Sequence, residues 1–210
     1  MYFTRRGLLL ALSSPSGAGK TTLAKILLMS DKNLVSSVSV TTRKPRHGEI
    51  EGKDYYFITP EQYDDMIDGG LLLEHAKVHD NYYGTPQHFV EDALENGKDI
   101  VFDIDWQGVQ QLRGNVPQDL VSIFIMPPDA KELRRRLENR ATDSPEVVEK
   151  RLAKAASEIS HWGEYDYVLI NDNPEKCSEN IRAILTTERL KRRRQTGITE
   201  FVRNFNKHIY

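Results

Sequence analysis

The chain has 210 residues, of which 39% are hydrophobic and 29% are charged, and its formal net charge is −2. This length suits one α/β domain, and a nearly neutral balance gives no support for binding nucleic acid. The single cysteine, Cys177, excludes an internal disulfide and is typical of a reducing cytosol. The first apolar run, 8–12, is too short for a signal peptide or a membrane span. We therefore expect a cytoplasmic protein with no membrane partner.

The first predicted element is a buried strand over residues 8–13, followed at once by a glycine-rich loop. Residues 14–21 read S-P-S-G-A-G-K-T and precede an apolar helical segment over 22–29. This order matches the phosphate-binding pattern G-x-x-x-x-G-K-[ST], except that Ser14 stands at the first glycine position. In such a loop backbone N–H groups hold phosphate oxygens, Lys20 reaches the terminal phosphates and the Thr21 hydroxyl binds magnesium. The phosphate loop (residues 14–21) thus predicts binding of a nucleoside triphosphate with Mg²⁺.

Further apolar runs predict a buried parallel sheet. The additional strands are expected over 99–104, 120–126 and 167–170. Segments with helical spacing alternate with them and cover residues 85–96, 130–139, 145–162 and 174–194. This alternation predicts an α/β fold, a P-loop NTPase-like parallel sheet flanked by helices, with ligands at the carboxyl ends of the strands.

Residues 35–90 interrupt the alternation and predict an inserted mixed α/β lobe that closes over a second substrate. They combine alternating stretches over 36–42 and 54–59 with turn residues and a helix candidate over 60–68. Residues 131–160 contain several arginines and a hinge-like stretch, and we expect a helical lid there. The expected organisation is one domain over 1–210, with core segments 7–34, 97–130 and 163–195, the lobe, the lid and a tail over 196–210.

Two groups of arginines outside the phosphate loop indicate chemistry on a second phosphate. Arg43 and Arg46 lie three residues apart beside a proline turn, which suits a clamp for a monophosphate. Arg136 and Arg140 lie one turn apart on a predicted helix, and Arg151 follows on the next helix. In phosphoryl transfer such cations surround the moving group, so the pattern favours a kinase.

The C-terminal part leaves two questions open. The basic cluster 191–194 is either a nucleic-acid patch or the solvated end of a helix, and we favour the second. The tail has apolar residues at near-helical spacing, namely Ile198, Phe201, Val202, Phe205 and Ile209. They predict packing on the same domain, which is the simpler expectation, or on a second subunit. The protein is accordingly expected to be a monomer or a homo-oligomer.

Several motifs together resemble those of bacterial-type guanylate kinases. They are the phosphate loop, T-T-R-K-P-R at 41–46, G-K-D-Y at 52–55, Glu74, N-Y-Y-G-T at 81–85, D-I-D-W-Q-G at 103–108 and N-D at 171–172. The resemblance covers residues 8–194, nearly the whole chain. It implies that region 35–90 binds GMP and that the γ-phosphoryl group of ATP is transferred to GMP, with magnesium. We expect dGMP to be accepted as well, because no residue is assigned to the ribose hydroxyl that dGMP lacks.

The resemblance also assigns site residues. ATP contacts fall on Ser14, Pro15, Ser16, Gly17, Ala18, Gly19, Lys20, Thr21, Thr22 and Asn171. GMP phosphate contacts fall on Ser39, Arg43, Arg46, Tyr55 and Tyr83, and guanine contacts on Glu74, Thr85 and Asp105. The expected catalytic group is Lys20, Arg43, Arg136, Arg140 and Arg151. Magnesium is expected at Thr21, with Asp103 close by in a supporting position.

The guanine assignment agrees with elementary hydrogen-bond chemistry. Guanine offers two adjacent N–H donors that one carboxylate such as Glu74 can accept, and the Thr85 hydroxyl can donate to its carbonyl oxygen. Adenine lacks both features. Two alternatives are a kinase of ribose 1,5-bisphosphate on the same scaffold and a non-catalytic guanylate-kinase-like binding module. The first predicts loss of the guanine-reading residues and the second loss of the phosphate loop, whereas this sequence keeps both.

Overall fold

The computed structural model describes residues 4–78, 80–139 and 145–209. Its strands are β1 (Leu9–Ser13), β2 (Leu34–Ser36), β3 (Ser39–Thr41), β4 (Tyr55–Phe57), β5 (Leu72–Val78), β6 (Asn81–Pro86), β7 (Asp99–Asp103), β8 (Leu120–Met126) and β9 (Tyr167–Ile170). Its helices are α1 (Lys20–Ser30), α2 (Pro60–Asp68), α3 (Gln87–Glu95), α4 (Trp106–Asn115), α5 (Ala130–Glu138), α6 (Pro145–Ile159), α7 (Pro174–Arg189) and α8 (Ile198–Asn206).

The larger sheet has five parallel strands in the order β2-β7-β1-β8-β9. Successive side chains of a strand point to opposite faces, so β1 contributes to two cores. Leu10 and Leu12 pack with buried residues of α1 and α7, whereas Leu9 and Ala11 pack with those of α3 and α4. Helices therefore cover both faces, and the predicted α/β fold with a parallel sheet flanked by helices is confirmed.

The inserted region contains a second sheet, with strand order β4-β3-β6-β5. β3 runs parallel to β4 and antiparallel to β6, which also pairs antiparallel with β5. α2 begins with a capping box, because Thr59 and Gln62 each accept the backbone N–H of the other. This local signal, together with Pro60, explains why α2 has the bounds expected from the sequence.

The α5–α6 pair lies over the phosphate loop. Leu133 and Leu137 of α5 pack with Val148 and Ala155 of α6. The same two leucines also lie close to the loop, since a Cβ added to Gly17 would be 3.3 and 3.2 Å from their methyl carbons. α5 is therefore packed on the phosphate loop.

The basic cluster 191–194 differs from the solvated helix end expected for it. Arg194 is only 1% exposed and belongs to a separate 3₁₀ turn after α7. Its Nη1 and Nη2 donate to the carbonyl oxygens of Gly7 and Asp119, each at 3.4 Å, and carboxylate oxygens of Asp119 and Glu188 lie at 3.7 Å. A buried guanidinium group needs such acceptors and counter-charges, and the segments just before β1 and β8 and the end of α7 supply them here. The expectation is wrong for Arg194.

Residues 4–6 lie beside residues 194–197. The N–H of Arg6 donates to the Arg194 carbonyl at 2.7 Å, and the N–H of Gly197 donates to the Thr4 carbonyl at 3.1 Å. α8 therefore begins beyond the last core contacts, and none of the described residues 198–209 is buried. Phe205 of this segment is 59% exposed. The expected packing of the tail on its own domain is wrong.

Element boundaries differ from expectation at several places, and the helix expected over 174–194 ends at Arg189. The helix predicted from residue 85 begins at Gln87, because Thr85 and Pro86 belong to β6. α1 begins at Lys20 rather than residue 22, and β2 was not predicted as a core strand. In the described ranges, no helix combines the length and the apolar character needed to cross a bilayer.

Candidate active site

The phosphate loop joins β1 to α1 at the carboxyl edge of the larger sheet. Gly17 and Gly19 have φ values of 91° and 97°, a left-handed conformation that glycine adopts without steric cost. Among the described non-glycine residues only Asp80 has a positive φ, so Ser14 adopts its position without that strain. Asn171, at the end of β9, closes the loop by donating from Nδ2 to the Ala18 carbonyl at 2.7 Å.

Lys20 and Thr21 both contact Asp103 at the end of β7. The Lys20 ammonium is 2.6 Å from Asp103 Oδ1 and donates to the Ile104 carbonyl at 3.1 Å. Thr21 Oγ1 donates to Asp103 Oδ2 at 3.0 Å. They meet because β1 and β7 are paired in parallel, with Leu12 opposite Asp103. The carboxylate thus neutralises the loop lysine and places an oxygen ligand beside the threonine hydroxyl.

A cavity of about 440 Å³ opens above the phosphate loop. Its loop side is formed by Ser14, Pro15, Ser16, Gly17, Gly19, Lys20, Thr21 and Thr22. Asp103, Asp105, Arg136 and Glu158 complete the lining. This volume lies in the usual range for small-molecule sites, and the lining combines N–H donors and cations with three carboxylates.

Arg136 already lies against the phosphate loop. Its Nη2 donates to the Asn171 carbonyl at 3.0 Å and its Nη1 to the Ala18 carbonyl at 3.4 Å. Its Nε donates to Glu132 at 2.8 Å, and hydrogen bonds from Arg135 and Arg136 lower the pKa of Glu132 to about 2. The side chain is thus held at the cavity, against the phosphate loop.

Of the other two arginines expected in the lid, only Arg151 belongs to the described residues. Arg151 lies on α6 with a partly buried side chain. Arg140 lies outside the described residues.

A second cluster of cation and aromatic rings lies in the inserted region. The Arg43 guanidinium carbon is 5.3 Å from the Tyr55 ring centre, and the Tyr55 and Tyr83 ring centres are 5.9 Å apart. Glu49 accepts from Arg43 Nη2 and Nη1 at 2.7 and 3.0 Å, and from the Arg46 backbone N–H at 2.7 Å. These hydrogen bonds raise the pKa of Arg43 above its ordinary value and lower that of Glu49. The Arg46 side chain is exposed beside this cluster.

Glu74 and Thr85 form a buried polar pair across β5 and β6. They are 6% and 1% exposed, and Thr85 Oγ1 donates to Glu74 Oε1 at 2.7 Å. Ser39 Oγ lies 3.3 Å from Thr85 Oγ1. Burial raises the pKa of Glu74, the negative charge of Asp105 adds to the rise, and the Thr85 hydrogen bond opposes it. Gly108 lies close to this pair, since a Cβ added to it would lie 3.5 Å from Glu74 Oε2.

Asp105 connects the two regions. It lines the cavity above the phosphate loop and acts electrostatically on Glu74. Its Oδ1 also accepts the backbone N–H groups of Gln107 and Gly108 at 3.0 and 3.2 Å, so it is the N-cap of α4. The sequence analysis missed this cap, although an aspartate directly before a helix is a recognisable signal.

The carboxylate partners of the arginines were not predicted from the sequence either. Glu49 lies in the same turn as Arg43, and Glu132 lies one helical turn before Arg136. Helical spacing alone could have suggested the Glu132–Arg136 pair. Each site therefore holds its arginine in a fixed position by an acidic partner.

Comparison with known proteins identifies the family. Residues 6–188 match the family model described as guanylate kinase. The chain is 54% identical over 199 residues to a guanylate kinase of Paramagnetospirillum magneticum, covering 95% of this chain and 93% of that protein. It is 55% identical over 198 residues to a guanylate kinase of Rhodospirillum rubrum, covering 94% and 91%. A guanylate kinase structure from Anaplasma phagocytophilum is 43% identical, has a TM-score of 0.74 and covers 95% of both chains.

These matches extend over nearly the whole length of the chain and of its relatives. They include the phosphate loop, the inserted sheet and the α5–α6 pair. The chain therefore belongs to the guanylate kinase family.

Proposed function

We propose that the protein transfers the γ-phosphoryl group of ATP to GMP, giving ADP and GDP. The observation that carries the proposal is the buried Glu74–Thr85 pair, which lies in the same inserted sheet as the Arg43 and tyrosine cluster. An ionised Glu74 can accept both adjacent N–H donors of guanine, which adenine does not offer. Membership of the family and the names of its close relatives support the same activity.

The acceptor phosphate fits the Arg43 cluster. Glu49 takes one N–H of each Nη group of Arg43, and the remaining donors of the planar guanidinium suit contact with a phosphate. Tyr55 and Tyr83 place phenol groups beside it, and Arg46 is near enough to add a second cation. Ser39 and Thr85 lie between this cluster and Glu74 as hydroxyl donors or acceptors for the nucleoside. dGMP fits equally well, because none of these groups requires a ribose hydroxyl.

The donor site fits ATP. Gly17 and Gly19 give the loop the left-handed backbone turns of a phosphate cradle, and the Lys20 ammonium lies beside it. Asn171 is 2% exposed and its Oδ1 has no hydrogen-bond partner among the described residues, so an acceptor remains available near the loop. Thr21 Oγ1 and Asp103 are the groups that would hold Mg²⁺, directly or through water. When bound, the ion neutralises charge on the donor phosphates.

Transfer then depends on position and charge rather than on a proton acceptor. The phosphate of GMP is already an oxyanion at neutral pH, so no general base is required. Lys20 and Arg136 neutralise charge that develops on the transferring group, while Arg43 fixes the attacking oxygen. We assign Arg140 and Arg151 the same role as Arg136, from their places in the predicted lid.

The test is an ADP-release assay with ATP and Mg²⁺ in which acceptors are offered singly. We expect rapid turnover with GMP, slower or equal turnover with dGMP, and little with AMP, UMP or CMP. Turnover only with ribose 1,5-bisphosphate would assign the chain to sugar bisphosphate phosphorylation. Tight GMP binding without turnover for any acceptor would indicate a binding module. Repeating the GMP reaction with EDTA and then excess Mg²⁺ tests the metal requirement.

A further inference from the structure

The phosphate cavity contains a carboxylate that the transfer chemistry does not use. Glu158 lies near the end of α6, and its side chain is only 12% exposed. Its Oε2 accepts the backbone N–H of Ser16 in the phosphate loop at 3.2 Å. The same side chain lines the cavity that also contains Lys20 and Arg136.

This contact places an anion on a donor of the phosphate cradle. Backbone N–H groups of such loops are the donors that bind phosphate oxygens. A carboxylate oxygen hydrogen-bonded to one of them occupies space and donor capacity that a phosphate could use. In this respect Glu158 resembles a bound anion supplied by the protein itself.

The charge of Glu158 is poorly compensated. Lys154 Nζ lies 3.6 Å from Glu158 Oε1, but the lysine side chain is 72% exposed and its effect is screened by water. The cations that face the cavity have other partners: Lys20 pairs with Asp103 and Arg136 with Glu132. A polyphosphate entering the cavity therefore meets a negative charge held at the loop.

We propose that Glu158 is an internal competitor of the donor phosphates and thereby sets the affinity for ATP. In this structure its carboxylate accepts the Ser16 N–H, and it leaves that position when a polyphosphate binds. Only the choice of ATP as the ligand rests on the proposed function, because the competition applies to any polyphosphate.

Isothermal titration with inorganic tripolyphosphate tests the competition directly. The variant Glu158→Gln keeps a hydrogen-bond acceptor and removes the charge. We expect it to bind tripolyphosphate, and a non-hydrolysable ATP analogue, about fivefold or more tightly than the unaltered protein does at low salt. The difference should narrow as ionic strength rises from about 0.05 to about 0.5 M, because salt screens the repulsion.

Glu149→Gln is the matched control, since Glu149 lies on the same helix, is 63% exposed and pairs with Arg134 outside the cavity. It should change tripolyphosphate affinity less than twofold, by the usual weakness of exposed charges. Glu158→Ala is a second variant: it binds more tightly if Glu158 competes and more weakly if the side chain only braces the loop. Thermal unfolding establishes that each variant is folded.

Unchanged or weaker tripolyphosphate binding by both Glu158 variants overturns the proposal. In turnover assays, Glu158→Gln should lower KM for ATP and leave KM for GMP unchanged, a split that general loosening of the fold would not produce. If the chain fails to phosphorylate GMP at all, the tripolyphosphate titration still decides the role of Glu158.

Discussion

Replacing Glu74 by glutamine tests how the protein reads its acceptor base. The substitution preserves size within a pocket where Glu74 is 6% exposed. It retains one oxygen for the Thr85 hydroxyl, which now donates to Glu74 Oε1 at 2.7 Å. The other oxygen becomes an amide NH₂ group, which presents hydrogens to the N–H donors of guanine. One guanine hydrogen bond to a charged group is thereby lost.

The magnitude follows from the worth of such a bond. A hydrogen bond to an ionised group contributes about 1.5–3 kcal/mol. At about 1.4 kcal/mol for each factor of ten, GMP affinity should fall roughly 10- to 150-fold. Turnover at saturating GMP should fall less, because Glu74 contacts the base and not the reacting phosphates.

The same substitution should leave the fold intact or stabilise it. Burial raises the pKa of Glu74, so the folded protein holds this proton to higher pH than the unfolded chain does. Stability therefore decreases as pH rises through the ordinary pKa and the raised folded-state value. Glutamine removes that cost at neutral pH, and the melting temperature should be unchanged or higher. Loss of affinity thus cannot be ascribed to unfolding.

Steady-state ADP release and calorimetric titration of GMP measure the effect. Asp68→Asn, an exposed carboxylate on α2 of the same region, is the control and should behave like the unaltered protein. If Glu74→Gln changes GMP affinity less than about twofold, guanine is not read by Glu74 and the assignment of the base pocket is wrong.

Three further predictions concern other parts of the structure. Arg136→Ala should lower kcat on the order of a thousandfold with little change in KM for GMP. Arg135 is exposed and pairs with the same glutamate, so Arg135→Ala is the control and should retain kcat. Equal kcat values for both variants would exclude Arg136 from the mechanism. GMP affinity, measured by calorimetry, should weaken as pH falls from neutrality through the raised pKa of Glu74, because a protonated carboxyl presents an O–H to guanine donors. Glu74→Gln should lack this part of the pH dependence. An equal pH dependence in both proteins would contradict the explanation. Asp99→Asn should lower the free energy of unfolding, measured in urea, by about 3 kcal/mol, because Arg5 and Arg189 then lack the buried carboxylate that they share. A change within about 0.5 kcal/mol would mean that this group of charges contributes little to stability.

Much of the larger sheet could be predicted because its strands are uninterrupted apolar runs. The expected strands 120–126 and 167–170 coincide with β8 and β9, and those expected over 8–13 and 99–104 are one residue longer than β1 and β7. β2 could not be found in this way, since only Leu34 and Val35 are apolar and its strand character depends on pairing with β7. Pairing between distant segments leaves no local trace in the sequence.

In the site, too, features encoded by neighbouring residues could be predicted, and features that depend on contacts between distant residues could not. The phosphate loop is a local pattern, and so is the capping box that starts α2. Glu49 is also local, yet its significance emerges only when its carboxylate is seen to hold Arg43 in two hydrogen bonds. Glu158 lies outside the reach of sequence reasoning, because its contact with Ser16 joins residues 142 positions apart. Burial of Arg194 likewise depends on acceptors brought together by the fold.

The hydrogen bond between Gly197 and Thr4 has a consequence for connectivity. Because Gly197 lies within hydrogen-bond distance of Thr4, a short linker could join residue 197 to residue 4. The chain could then be opened at an exposed turn elsewhere. Such a circular permutant would keep every strand pairing of the larger sheet and omit residues 1–3 and 198–210, the second of which contains α8. The order in which the strands are synthesised would change, whereas the architecture that holds the two phosphate sites would not.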